Sequence, residues 1–507
     1  MLACPSNPEP PPDPCEGEPG TAPALDQCGV FVSEQGDDKN PGTKSAPVKT
    51  LEHAVGLAAS GRGGGEAPTR RVYACGGTFE EAITLPSGVD LWGGRRCDGG
   101  DWSYQGSFGG PDHPTIIAPL GGIPLRVLGA EETALAGDNA TSVIAGVRVV
   151  AADASAPDGK SSIAVILSTG ARAIVQDSVI VAGDGKDGEP GQDAPSFRAK
   201  DGLVGNNGEN ACTVDAAVGA PPVVTVCDDG VESTGGYGGD GGLDAGGDGT
   251  SGQPEPAENP EGKGLGGVGA DLTMCSDGKL GADGADAGRA GGAVGEGHLG
   301  ISGWLGIRGE DGQQGGTGQA GGGGGGSKSR GHMVACRAGL PQGGAAGGSG
   351  GSGGCGGRGG YGGGYGGASI GIVALDGTDL TIGASDVITG KGGRGGVGGR
   401  GQLGGIGKPG GQGGLGSGGG IWPACSGGAG GNGGRGGDAG GGLGGASVGI
   451  AYVVPNFAIR PGTTIVPGPA GNGGLAGNAG PEDDVGEGAD GPWGELYRFG
   501  AASEPPH

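Results

Sequence analysis

Short apolar runs broken by glycine set the pattern of the first third of the chain. Residues 29–33 are β-rich, and a turn cluster follows over 35–43. Thr50 predicts an N-cap for a helix that places Leu51, Ala54, Val55 and Ala58 on one face and stops at Gly61. Beyond it come strand-like pieces: Arg71-Val72-Tyr73-Ala74-Cys75, Val89-Asp90-Leu91-Trp92, Ile116-Ile117, 125–128 and 143–150. Glycine punctuates them at the spacing of an all-β fold.

The strongest signal is an internal repeat. Residues 161–183, 368–390 and 446–468 align without gaps. Ile163, Ile370 and Val448 coincide, as do Val165, Ile372 and Ile450, then Ile180, Val387 and Ile465, and the closing Gly183, Gly390 and Gly468. Each segment holds two β-branched stretches around a turn and cannot bury its apolar face alone. Stacking of neighbours is therefore expected, one repeat forming one rung of a parallel β-helix. The segments between repeats would leave the scaffold at one corner and come back to it. The boundaries that follow are a start and tether over 1–28, cap and rungs over 29–183, a glycine-rich insertion over 184–367 and a rung over 368–390. A second insertion over 391–445, a rung over 446–468 and a glycine-rich, unreturned tail over 469–507 complete the chain.

Composition then decides what those insertions are. Of 507 residues, 140 are glycine, against a usual share of about 7 %. Side-chain packing cannot order such segments. From Gly392 to Gly418 glycine opens nine consecutive triplets, with a single proline, Pro409, so collagen is excluded. The insertions read as polyglycine-II-like legs, three residues per turn, or as disordered linkers. In the ordered reading Arg394, Val397, Arg400, Leu403 and Ile406 share one edge, and the stretch around Trp422 turns an outgoing leg into a returning one. Sustained phase and the cysteines inside the tracts favour order.

Charge and cysteines narrow the setting. The net charge of −26 argues against nucleic acid. Met1-Leu2-Ala3-Cys4 resembles the end of a bacterial lipoprotein signal, which makes Cys4 a lipidation candidate and the only expected link to a membrane. Ten cysteines remain as disulfide candidates: Cys15, Cys28, Cys75, Cys97, Cys212, Cys227, Cys275, Cys336, Cys355 and Cys425. Cys75 and Cys97 stand about one rung apart, so a bond between stacked neighbours is expected there.

The pattern Val32-Ser33, Gly36-Asp37-Asp38, Asn40-Pro41-Gly42-Thr43, Pro47, Thr50-Leu51 and Ala54 resembles the opening of bacterial pectin-lyase-like β-helix proteins. The glycine-rich remainder is similar to PGRS-like proteins of myxobacteria. The resemblance implies a right-handed parallel β-helix with an N-terminal capping helix. It also implies an outer-membrane lipoprotein or an extracellular protein of unassigned activity.

No catalytic set stands out. Polysaccharide lyases and hydrolases use clustered carboxylates with a basic residue, for which Asp153, Asp158, Asp177, Arg148 and Arg172 are the candidates. No motif joins them, and isolated aspartates commonly serve turns. Calcium is the one ion the composition suggests, at Asp37, Asp38 and Asn40, at Asp240, Asp244 and Asp248, or at Asp271, Asp277, Asp283 and Asp286. None of these matches a calcium loop, so neither a metal site nor a cofactor is assigned. His332 and Cys336 have ligand-like spacing without a second pair, and His53 sits on the helix. The expected role is non-catalytic, structural or adhesive, with extracellular matrix or glycan as partner. The alternative is a polysaccharide-degrading enzyme on the same scaffold.

Overall fold

The computed structural model describes residues 14–62, 68–106, 114–132, 141–155, 161–330, 335–418, 420–454 and 456–500. Cys4, Asp158 and His332 lie outside the described residues.

Alternating β-branched residues form three sheets whose strands run parallel. The first orders Val30–Val32, Arg71–Cys75, Asp90–Arg96, Ser142–Ala145, Arg172–Gln176, Asp379–Gly383 and Phe457–Ile459, with Ser103–Tyr104 antiparallel at one side. The second orders Gly77–Phe79, Thr115–Ile117, Val147–Val150, Val179–Val181, Asp386–Ile388 and Thr464–Val466. The third orders Ile83–Leu85, Leu125–Val127, Ser162–Leu167, Ser369–Ala374, Ser447–Tyr452 and Trp493–Arg498. From Arg71 on, the chain visits first, second and third sheet in turn, an all-β arrangement compatible with a parallel β-helix.

Register explains the stability of this coil. Val30, Val72, Leu91, Ile144, Val175, Ile382 and Ile459 are successive cross-strand partners. All but the last are buried in one continuous apolar cluster. Val165 pairs with Ile372, which pairs with Ile450, and Ile180 pairs with Val387, which pairs with Ile465. The three matching segments thus lie side by side. Helix Leu51–Ser60 buries Leu51, Ala54, Val55 and Ala58 against the first rungs. The Thr50 hydroxyl accepts the His53 N–H at 3.3 Å, and Gly61 ends the helix at φ 88°.

Two features differ from the sequence expectation. Residues 14–28, read as part of a tether, lie on the outer face of the first sheet. There Ala22, Ala24 and Cys28 bury against Phe31, Tyr73, Trp92 and Trp102. The Arg71 and Arg95 guanidinium groups donate to the carbonyls of Cys15 and Pro19 at 2.8 and 3.0 Å, which holds the segment down. The last segment is not an unreturned tail. It comes back to the third sheet, where Trp493–Arg498 pairs with Ser447–Tyr452. Every glycine-rich excursion therefore leaves after a second-sheet strand and re-enters at a third-sheet strand. The cause is the pairing edge that Ser447–Tyr452 offers, which a strand of suitable alternation covers.

Most residues of the excursions are neither helix nor strand, apart from hairpins Val224–Val226 with Glu232–Thr234 and His298–Gly300 with Gly303–Leu305. Backbone hydrogen bonds join their legs with a period of three. On the leg around residue 350, Ser349, Gly350 and Gly351 donate to Asn206, Gly236 and Gly428, three different neighbours. Three residues on, Ser352 donates to Leu203 and Gly354 to Gly431, returning to the first and third of those neighbours. Residues 343–357 are buried without a break although only alanine, serine and cysteine there carry side chains.

Candidate functional site: the clamped legs and the tyrosine cleft

The aspartates of the excursions have a shared task. Asp184 accepts the Lys391 N–H on its Oδ1 at 2.9 Å, while the next N–H, of Gly185, donates to the Lys391 carbonyl at 2.8 Å. Two consecutive residues thus grip both backbone polar groups of one residue on the neighbouring leg. Asp187-Gly188 does the same to Arg394, Asp193-Ala194 to Arg400, Asp201-Gly202 to Ile406, Asn207-Gly208 to Gln412 and Asn210-Ala211 to Leu415. Opposite Pro409, which has no N–H to give, the corresponding residue is Val204 and only the Gly205 donation remains. A second series runs from Asp277-Gly278, Asp283-Gly284 and Asp286-Ala287 to Ser426, Asn432 and Arg435. Where the clamp is an aspartate, its charged acceptor makes the bond stronger than a neutral one.

This accounts for most calcium candidates. Asp277, Asp283 and Asp286 are clamp residues, and Asp240 and Asp248 accept the Gly219 and Gly269 N–H groups at 2.7 Å each. Asp244 and Asp271 are exposed. Asp38 accepts the N–H groups of Lys49 and Thr50 and the Thr50 hydroxyl. Burial pushes its carboxyl up, but these bonds outweigh it and hold the group below the usual carboxylate range. Asn40 donates to the Pro47 carbonyl, and Asp37 accepts the Lys39 N–H. Glu81, which the sequence reading passed over, accepts the first helical N–H groups, of Leu51 and Glu52. Among the described residues no three His, Cys, Asp or Glu side chains are grouped to hold a metal ion.

The catalytic candidates do not converge. Asp177 follows a first-sheet strand and Asp153 a second-sheet strand, so they stand at different corners. Asp177 accepts the Tyr104 hydroxyl proton, and Asp153 clamps Asp184 as the residues above clamp their partners. Burial and then the Asp177 carboxylate drive the Tyr104 phenol far above its ordinary pKa, so it stays a donor. Arg148 and Arg172 project from strands of the second and first sheets and are exposed.

All ten cysteine candidates are paired: Cys15–Cys28, Cys75–Cys97, Cys212–Cys336, Cys227–Cys355 and Cys275–Cys425. Cys336 is therefore no metal ligand with His332. Cys75–Cys97 joins stacked rungs, and the last three pairs tie glycine-rich legs together. Five disulfides suggest an oxidising, extracellular or surface environment. No helix among the described residues is long and apolar enough to cross a membrane.

A cleft with aromatic lining lies where the hairpin over 298–305 meets the leg over 359–367. Trp304 is buried in the hairpin, and its indole N–H donates to the Glu296 carbonyl at 3.1 Å. Its ring meets Tyr365 edge to face, with centroids 5.8 Å apart. Asp153, Ser161, Ser302, Trp304 and Tyr365 line a cleft of about 300 Å³. Glu189, Gln192, Arg308, Tyr361 and Tyr365 line one of about 350 Å³ next to it. Arg308 is fixed by the Gly362 carbonyl at 3.1 Å and lies 3.5 Å from Asp311. Burial raises the Tyr365 phenol. Sequence reading missed this cleft. Its only trace was two tyrosines, at 361 and 365, inside a tract of glycine.

A family described as a protein of unknown function, DUF1565, matches residues 34–207. That stretch takes in the helix, the first rungs and the start of the first glycine-rich excursion, and the family is one associated with parallel β-helix proteins. No curated protein and no solved structure matches the chain.

Proposed function

We propose that the protein is a non-catalytic structural and adhesive protein of the cell surface or the extracellular space. In this reading the scaffold is a right-handed parallel β-helix, and the excursions are polyglycine-II-like arms that it displays along one corner. The observation that carries it is the three-residue hydrogen-bond period that knits the legs to one another and to the rungs. A glycine leg costs more backbone entropy to order than any other sequence. A chain that pays this over hundreds of residues, with clamps and disulfides along the edges, is built for a fixed extended shape.

An oxidising setting fits the disulfides, and lipidation at Cys4 would supply the only membrane link. The net charge of −26 keeps such a surface soluble and self-repelling, and disfavours nucleic acid. Extracellular matrix or glycan is the partner class that the adhesive role requires.

Amide exchange followed by mass spectrometry tests the reading. Residues 343–366 are expected to be as protected as strand Ser369–Ala374. Fast exchange throughout 391–445 and 343–366 would overturn it, because linkers would then be all that the glycine provides.

A further inference from the structure

We propose that the cleft lined by Tyr361, Tyr365, Arg308, Gln192 and Glu189 binds a neutral polysaccharide chain. The inference rests on the adhesive reading above and supplies its ligand class and site.

Sugar rings offer an apolar face and a rim of hydroxyls. They call for an exposed aromatic ring beside rigid, planar polar groups. Aromatic residues make up only 4 % of the chain. Tyr361 is 51 % exposed on a leg whose neighbours are almost all glycine. Exposure of such a ring gains nothing for folding. Gln192, Glu189 and Arg308 line the same cleft and supply an amide, a carboxylate and a guanidinium.

The floor is preorganised. The Tyr361 N–H donates to the Gln192 carbonyl at 3.0 Å, its carbonyl accepts the Gly399 N–H at 2.8 Å, and Gly364 donates to the Glu189 carbonyl at 2.9 Å. The rings are thus mounted on backbone held by neighbours on two sides, which lowers the ordering cost of binding. On an extended leg, four residues at about 3.1 Å each set the two tyrosines roughly 12 Å apart. The cleft on the far side of Tyr365 prolongs the track, so a chain fits better than a single sugar.

Charge selects the class of chain. Arg308 already faces Asp311 at 3.5 Å and Glu189 faces Lys186 at 3.9 Å, so these charges offset one another, and Asp153 adds a negative charge on the other side. With −26 on the whole molecule, a polyuronate would be repelled.

Titration of the intact protein with a soluble β-glucan, a xylan and polygalacturonate tests the assignment. Binding to at least one neutral polymer and none to polygalacturonate is expected. Tyr361→Ala should weaken it about tenfold, and Tyr361→Phe, which keeps the stacking face, should retain it. The Tyr361 backbone bonds survive both changes, and amide exchange of residues 343–366 reports folding in each variant. No neutral binding, undiminished binding by Tyr361→Ala, or preference for polygalacturonate would each overturn the cleft assignment. If the legs stay protected in that case, the scaffold reading stands and only the cleft falls. Unprotected legs defeat the scaffold reading whatever binds.

Discussion

At Gly359 a Cβ atom would lie 1.8 Å from the Gly312 carbonyl oxygen, a contact that no rotamer relieves. At Gly480 it would meet nothing within 4 Å. Gly359→Ala is therefore expected to destabilise by about 1–3 kcal/mol or more, and Gly480→Ala by less than about 0.5 kcal/mol. Thermal melts of the two variants against the parent check the contrast. Asp201 makes a second residue-scale case. A hydrogen bond from the Lys408 ammonium, then one from the Ile406 N–H, holds its carboxyl below the usual range. The native state binds this proton less readily than the unfolded chain. The contribution is thus complete above the ordinary carboxylate pKa and is lost as pH falls through the lower native value. Asp201→Asn keeps the oxygen facing Ile406 but loses the charge. Its deficit against the parent should be present at neutral pH and vanish near about pH 2; paired melts at the two pH values would show it, and a deficit independent of pH would refute the ion-pair origin. The positions of these aspartates were plain in the sequence, but their partners were not. An Asp-Gly pair looks like a turn until the residue it grips is known.

At the scale of elements, the rungs follow from alternation and the legs from contact. Ile370 and Val448 are recognisable as strand residues by their own neighbours in sequence. A glycine leg has no such mark, since any glycine tract can adopt three residues per turn. What selects the leg is company: residues 278–293 lie beside 426–441 because the N–H groups of Gly278, Gly281, Gly284, Ala287, Ala290 and Ala293 all find carbonyls there. Cys275–Cys425 stands at the head of that pair of legs. Replacing both cysteines by serine is expected to cost about 2–4 kcal/mol. Amide exchange should rise first in the two legs and leave the rung Ser369–Ala374 unchanged. Equal loosening of rung and legs would show that the bond supports the molecule as a whole. Helix Leu51–Ser60 is the opposite case, legible in full from Thr50, its apolar face and Gly61.

Across the whole molecule, the matched repeat was enough to foretell that three distant segments stack, because each has an apolar face that it cannot bury alone. Cys75 with Cys97 was foretold on the same ground, by separation equal to one rung. The return of Trp493–Arg498 to the third sheet was not legible, since that strand does not share the repeat and pairs through the free edge of Ser447–Tyr452. The docking of residues 14–28 was equally hidden. Proline and acid suggest a tether, and only the apolar rings of Phe31, Tyr73 and Trp92, buried beneath it, make the segment a cover. The tyrosine cleft joins residues from three separate stretches and exists only once the legs are assembled. By itself, then, the order of amino acids determined the rungs, the cap and the oxidised cysteines, all of which depend on side chains and local spacing. The tertiary structure alone decided which leg lies beside which. Glycine carries no side chain to specify a neighbour, and backbone N–H and C=O groups accept any partner that arrives in phase.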